Sequence, residues 1–313
     1  MNRTQKEGNK MAIVNNYLNY IGSKDRYLPQ ILKFIEAGAS LTGGAQLIDL
    51  FCGSAVVGLN SAKLFKKVRC VDACKELITI HQWVQGYDTP EAVLADIDLV
   101  TTKYQLSKEN KEGFLKLRED YNKESIEQGV IRPAFLFNLI THSYNYSLHT
   151  NKKGGFNVPF GQGRSYFNKN LRQKLINWKN ELNNSPQVSF ECTDFRNVEV
   201  SSSSVVFVDP PYSASISKHP YRVGNIKWTA DEDRALLSYL DNINKQGSLF
   251  VFTNVIANNG IVNKPLLDWV ALNDYIVTPV HIDYKNCSYQ RKNNGKTEEV
   301  IITNFKLQEK END

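Results

Sequence analysis

The chain has 313 residues, 41% hydrophobic and 23% charged, with a formal net charge of +5. These values are ordinary for a soluble globular protein and allow one large domain or two modest ones. The mild positive charge permits a polyanionic partner without requiring one. No apolar stretch approaches the ~20 residues of a membrane-spanning helix, and Met1 to Lys10 is polar with no signal core. The expectation is a cytoplasmic protein with no membrane partner. The five cysteines (Cys52, Cys70, Cys74, Cys192 and Cys287) are odd in number and form no Cys-x-x-Cys pair, which argues against a disulfide framework or a structural metal.

In chain order, Leu28 to Phe34 is helical in pattern. Gln46 to Phe51 is a short apolar run ending at Gly53, and so predicts a buried strand. Ser54 to Phe65 predicts a helix, Val68 to Asp72 a second strand, and Glu76 to Trp83 another helix. This alternation implies a parallel sheet covered by helices. From Val84 to Gly163 the alternation stops. Glu91–Ile97 and Glu109–Asn122 predict charged helices, Ala134–Ile140 is an apolar run, and Asn145–Phe160 predicts a hairpin or loop. This region is expected to be an insert.

Alternation then resumes. Strands are predicted at Gln187–Cys192, Val205–Val208, Ser248–Thr253, Val277–Asp283 and Val300–Phe305, with helices at Leu171–Leu182 and Asp231–Asn244. Asn293-Asn294-Gly295 suits a tight hairpin turn near the end. The expected fold class is α/β: a Rossmann-like sheet of seven strands with an inserted, mainly helical region carrying a β-hairpin. The expected segments are 12–84, 85–165 and 166–308.

Val205-Val-Phe-Val-Asp209-Pro-Pro-Tyr212 carries the most specific chemistry. In open α/β sheets, ligands bind beyond the carboxyl ends of the strands, where this run delivers Asp209. Pro210 and Pro211 form a stiff turn lacking N–H groups, so their carbonyls stay free to accept hydrogen bonds. Tyr212 offers a face for stacking. Asp209 and the Pro210 carbonyl could each accept one hydrogen bond from an exocyclic amine. That would free its lone pair for a methyl group and stabilise the positive charge that develops. In isolation the same residues are also consistent with a Pro-Pro turn and a solvated Asp.

Asp49-Leu-Phe51-Cys-Gly53-Ser54-Ala55 joins a strand to a helix through small residues, which lets a ligand approach the backbone. Asp72, at the end of the next strand, could bind the two hydroxyls of a ribose, and is equally consistent with a helix N-cap.

Together these pieces resemble the D12 class of adenine-specific DNA methyltransferases, the Dam-like family, over most of the chain and in that family's order. Asn19-Tyr20-Ile-Gly-Ser-Lys24 resembles its N-terminal cofactor segment. The resemblance implies contact of Tyr20 and Lys24 with S-adenosylmethionine, along with Asp49, Phe51, Gly53, Ser54 and Asp72. Thr193-Asp194-Phe195 resembles the acid–aromatic pair that holds the cofactor's adenine. Asn151-Lys-Lys-Gly-Gly-Phe-Asn-Val-Pro-Phe-Gly161 resembles the recognition hairpin, and Glu299 to Asn304 the closing strand.

The resemblance implies N6 methylation of a flipped-out adenine in double-stranded DNA, with Asp209, Pro210, Pro211 and Tyr212 catalytic. Lys152 and Lys153 are expected at phosphates. Asn145, Tyr146, His149, Asn151, Asn157 and Pro159 are expected along the DNA. Two departures stand out: Ala55 replaces the family's second turn glycine, and Thr141 and His149 stand where arginines are common. No target sequence is therefore carried over. Methylation of RNA or protein, and a DNA-binding relative with impaired cofactor binding, are the competing readings. A restriction–modification pairing with an endonuclease, a phage role and a regulatory role are all left open.

Overall fold

A computed structural model describes residues 13–19, 24–211, 222–223, 226–280 and 297–307. The expected roles of Tyr20 and Tyr212, the turn at Asn293-Asn294-Gly295, the end of the Val277–Asp283 strand and Cys287 lie outside the described residues. Cys52, Cys70, Cys74 and Cys192 are unbridged.

The strands are β1 (Gln46–Asp49), β2 (Lys67–Asp72), β3 (Val188–Cys192), β4 (Ser204–Val208), β5 (Arg222–Val223), β6 (Ile226–Lys227), β7 (Leu249–Asn258), β8 (Ile261–Val262), β9 (Ile276–Pro279) and β10 (Thr297–Thr303). Seven of them form one sheet in the order β3-β2-β1-β4-β7-β10-β9; β8 pairs with β7 beside it, and β5 pairs with β6 separately. β3, β2, β1, β4 and β7 run parallel, while β10 is antiparallel to both β7 and β9. The Rossmann-like sheet of seven strands expected from the sequence is present, with β8 paired at its side.

The helices are α1 (Leu28–Thr42), α2 (Val56–Asn60), α3 (Lys75–Gln85), α4 (Pro90–Lys103), α5 (Lys111–Gln128), α6 (Pro133–His142), α7 (Lys169–Asn183), α8 (Ala230–Lys245) and α9 (Lys264–Leu272).

Side chains alternate across a strand, so each strand feeds two cores. Leu47, Val68, Val205, Phe207 and Val251 pack on the face bearing α1, α2 and α3. Ile48, Val71, Val206, Val208, Phe250 and Phe252 pack on the face bearing α8 and α9. β4 is buried at every residue, which explains its unbroken apolar run.

Two expectations need correction. The first strand stops at Asp49 rather than Phe51. Beyond it the backbone bonds first to β4 (Leu50 N to Phe207 O, 2.9 Å) and then to β2 (Cys52 N to Val71 O, 2.9 Å), so it splays between its neighbours. The Ser54–Phe65 helix is a five-residue α2 and a separate 3-10 turn at Ala62–Leu64. The Ala134–Ile140 apolar run is the middle of α6, which is buried continuously from Ala134 to His142. A helix buried all round has no solvated face to set an amphipathic period, and its polar side chains, Asn138, Thr141 and His142, are buried with bonds to carbonyls of the preceding turn. α6 packs against α3, α4 and α5, and one core runs unbroken from the sheet into these helices.

Candidate active site

The chain places β1, β2 and β3 to one side and then returns to lay β4 on the other side of β1. The carboxyl ends of β1 and β4 therefore flank a topological switch point, where ligands enter open α/β sheets. Asp49 ends one of these strands and Asp209 follows the other.

Gly53, in the turn after β1, has φ 48°, a left-handed conformation that glycine adopts without steric cost. Its N–H donates to Asp72 Oδ2 at 2.9 Å, and Cys74 N donates to Asp72 Oδ1 at 2.8 Å. Asp72 thus braces the turn and holds the backbone of Cys74, the residue that caps α3, and its carboxylate keeps lone pairs beyond these bonds. Burial raises its pKa against the pull of those N–H groups.

Asp49 is buried and accepts from Gly58 N at 3.0 Å. Burial, with Asp209 and Asp72 adding to it, pushes its carboxyl up to about 8. Gly58 has no room for a side chain: a Cβ there would lie 2.5 Å from Cys70 Sγ and 3.2 Å from Asp49 Oδ2. Ser54 is buried beside the turn.

Phe51 starts an aromatic wall. Its ring centroid lies 5.5 Å from Phe195 and 5.5 Å, edge-on, from Trp228. Phe195 is buried, with Tyr239 edge-on to it at 5.7 Å. Asp194 is engaged locally: its Oδ1 accepts from Arg196 N at 2.9 Å, and its Oδ2 pairs with the Arg196 guanidinium at 2.8 Å.

At the other end of the switch point, Asp209 Oδ1 receives two groups. Lys24 Nζ lies 2.8 Å away, and Thr253 Oγ1 donates at 2.8 Å from β7. Lys24 is buried at 6% exposure. Burial alone would lower the pKa of its ammonium, but the charges of Asp209 and Glu299 outweigh that and hold it above the ordinary lysine value. Pro210 is buried and Pro211 half-buried beyond the acid.

The expected hairpin follows α6. Only two isolated antiparallel bridges form it, Ser143 with Phe160 and Thr150 with Phe156. Tyr144 N to Pro159 O (2.8 Å), Asn151 N to Gly155 O (2.8 Å), Asn157 N to His149 O (3.2 Å) and Gly161 N to His142 O (2.9 Å) complete the ribbon. Phe156, Val158 and Phe160 point inward while Asn157 and Pro159 are exposed, the two-residue period of an extended ribbon. Asn151 Oδ1 accepts from Lys153 N at 2.9 Å and Gly155 N at 3.1 Å, shaping a tight tip that presents Lys152 and Lys153 to solvent. His149 Nδ1 lies 2.6 Å from Asn157 Oδ1. At the base, Asn145 and Tyr146 both have positive φ, 55° and 53°, a strained pair for residues with side chains. Asn122 on α5 clamps the ribbon through Phe156, accepting from its N at 2.7 Å and donating to its O at 2.9 Å.

The sequence model of the D12 class of N6 adenine-specific DNA methyltransferases matches residues 20–275. The chain belongs to that family. Among its relatives, the type II methyltransferase M.FokI of Planomicrobium okeanokoites is 30% identical over 94% of this chain and 43% of its own length. The modification methylase StsI of Streptococcus sanguinis is 30% identical over 93% of this chain and 43% of its own. The type II methyltransferase M.MjaIII of Methanocaldococcus jannaschii is 26% identical over 77% of this chain and 84% of its own. The chain therefore spans less than half the length of the first two.

In this D12-class chain the departure at Ala55 has a structural answer. Ala55 takes φ 57° and ψ 21°, the left-handed geometry that a glycine would supply, and its N–H closes the turn onto Cys52 O at 2.6 Å. The turn keeps its course with a methyl group present. Sequence reading missed Thr253, Trp228, Tyr17 and the hydrogen bonding of His81. Thr253 ends a predicted strand and carries no motif. Tyr17 and His81 meet across 64 residues, a contact no local pattern signals.

Proposed function

We propose that this D12-class chain transfers a methyl group from S-adenosylmethionine to N6 of adenine in duplex DNA. The observation that carries this reading is Asp209 at the mouth of the switch point, with Lys24 and Thr253 both on its Oδ1. Among the described residues no hydrogen bond is made to Oδ2, which leaves that oxygen for an N6–H of the target base. The Pro210 carbonyl is the second acceptor. Two acceptors set in advance draw the amine nitrogen toward tetrahedral geometry and stabilise its developing positive charge. Lys24 and Thr253 fix the carboxylate so that no reorganisation is needed when the amine arrives.

The cofactor supplies an electrophilic methyl group. The residues of the other half of the crevice suit it: Gly53 allows close backbone approach, Asp72 is an acceptor for ribose hydroxyls, and Phe51 gives an apolar face. Asp49 acts from beneath, holding α2 against the turn. Asp194 and Phe195 would serve the adenine ring, in which case Arg196 must share or release Asp194.

A base must leave the duplex to reach Asp209, at a cost of a few kcal/mol. Tyr212 is the proposed stacking partner. Lys152 and Lys153 would neutralise phosphates, and Asn145, Tyr146, His149, Asn151, Asn157 and Pro159 would line the groove. Region 85–165 is the proposed recognition segment, inserted between catalytic segments 12–84 and 166–308. No helix among the described residues is long and apolar enough to cross a membrane. The DNA substrate, not that absence, is the reason to propose a cytoplasmic location. Relatives named as type II and modification methylases support a pairing with a restriction endonuclease.

The test is methyl transfer from labelled S-adenosylmethionine to duplex DNA, RNA and protein in parallel, with Asp209→Ala as control. Label in DNA as N6-methyladenine, lost in the variant, is the expected result. Label in RNA or protein alone would overturn the reading, and no cofactor binding even with DNA present would favour a binding protein.

A further inference from the structure

His81 lies on α3 with no exposed surface, enclosed by aromatic rings: Tyr17 at 5.8 Å, Trp178 at 5.6 Å and Phe190 at 5.0 Å between centroids. An imidazole in such a place costs free energy unless both nitrogens are satisfied. Both are. Nε2 is 2.8 Å from Gly53 O, and Nδ1 is 2.9 Å from the Tyr17 hydroxyl. A carbonyl can only accept, so Nε2 carries the proton. Nδ1 of the neutral ring is then an acceptor, and Tyr17 must donate. Burial favours these neutral forms, moving His81 down to about 4 and Tyr17 well above its usual value.

The far end of this relay is the turn at the switch point. Gly53 is held on both sides, its N–H by Asp72 and its C=O by His81. With φ in the left-handed region and both polar groups fixed, the next peptide is aimed as well. The near end is the N-terminal segment. Val14 exchanges backbone bonds with the Asn60 side chain (2.8 and 2.9 Å), and Asn19 Oδ1 accepts from Lys174 Nζ at 2.9 Å. A few residues later the same segment delivers Lys24 to Asp209. One chain of hydrogen bonds, Tyr17–His81–Gly53–Asp72, therefore ties the segment carrying the catalytic acid's counter-ion to the turn that would take the cofactor.

We propose that His81, oriented by Tyr17, is a positioning residue that fixes the Gly53 turn for S-adenosylmethionine. This rests on the reading of that turn as the cofactor site.

The first test is the tautomer in the folded full-length protein, read by long-range 1H–15N correlation of histidine. The expected signature for His81 is a protonated Nε2 and a bare Nδ1; the opposite tautomer overturns the relay. The second is cofactor affinity by calorimetry. Tyr17→Phe keeps the ring and should weaken S-adenosylmethionine binding by about tenfold, the loss of one hydrogen bond's ordering effect. His81→Phe should weaken it further, and His81→Gln, whose amide can still donate to Gly53 O, should recover part of the loss. In turnover, KM for the cofactor should rise more than kcat falls. A folded Tyr17→Phe protein with wild-type affinity overturns the proposal even if His81→Phe does not fold. Asp72→Ala separates the two readings. If it weakens cofactor binding while the relay variants do not, the relay alone fails; if none of the three does, the cofactor reading of the turn fails with it.

Discussion

Lys24 reaches across the mouth of the switch point to place its ammonium 2.8 Å from Asp209 Oδ1, where the Thr253 hydroxyl also donates. A carboxylate gripped on one oxygen cannot rotate freely, so its other oxygen has a defined direction. Replacing Lys24 by Met leaves that carboxylate partly buried without its counter-ion. Turnover should fall by at least about tenfold with DNA affinity nearly unchanged. Steady-state methylation kinetics check this, and turnover within twofold of wild type would refute the role.

Thr253→Val keeps the strand-forming shape and removes only the hydroxyl. A smaller loss of turnover is expected, about tenfold or less, with Thr253→Ser near wild type. If Val and Ser variants behave alike, the hydroxyl does not orient Asp209.

Ala55 tests how strain and burial compete. A left-handed alanine costs about 1–2 kcal/mol, which glycine would relieve. Glycine would also lose a buried methyl worth about 0.8 kcal/mol and gain unfolded-chain entropy worth about 0.4–1 kcal/mol. The terms nearly cancel, so Ala55→Gly should change stability by less than about 0.5 kcal/mol. Ala55→Val, β-branched at positive φ and fully buried, should lose more than about 2 kcal/mol. Urea unfolding measures both.

Stability should peak near pH 6.5. His81 and His142 are both buried and held down to about 4. Between their unfolded value of about 6.5 and that point, the unfolded chain binds more protons, so stability falls as pH falls. Asp49 works in reverse. Its folded value of about 8 exceeds the unfolded ~3.9, so the folded chain holds the extra proton and stability falls as pH rises toward 8. Between about 4 and 6.5 two histidines oppose Asp49 and, as far as its own raised value reaches, Asp72; above that only the carboxyls act. Asp49→Asn should flatten the alkaline limb in unfolding measured at several pH values. An unchanged limb would assign it elsewhere.

Lys152→Ala with Lys153→Ala removes two charges from the ribbon tip. The slope of log affinity against log salt should shrink by up to about 2, with cofactor binding intact. An identical slope would place the phosphate contacts elsewhere.

Much of the architecture was legible because buried strands write themselves into the sequence as short apolar runs. Val205–Val208, Val68–Asp72 and the strand ending near Asp49 all stand within a residue or two of their expected places. The Asp-Pro-Pro turn and the small-residue turn could be found because each is local. α6 was opaque because a fully enclosed helix has no polar face to set its period. The partners within the site were opaque for another reason. Periodicity tells which face of an element is covered, not which polar atoms of two distant elements meet. Lys24 with Asp209, Thr253 with Asp209 and Tyr17 with His81 each join separate segments, and the two hydrogen bonds of His81 leave no trace in neighbouring residues.

The clamp on the ribbon grips main chain alone. Asn122 bonds the N and O of Phe156, and Arg118 reaches the carbonyl of Val158 at 3.4 Å. The outward side chains at 149, 152, 153, 157 and 159 contribute nothing to that clamp. The ribbon is thus an exchangeable cassette: its outward side chains can be replaced by mutation while the scaffold that carries it stays folded.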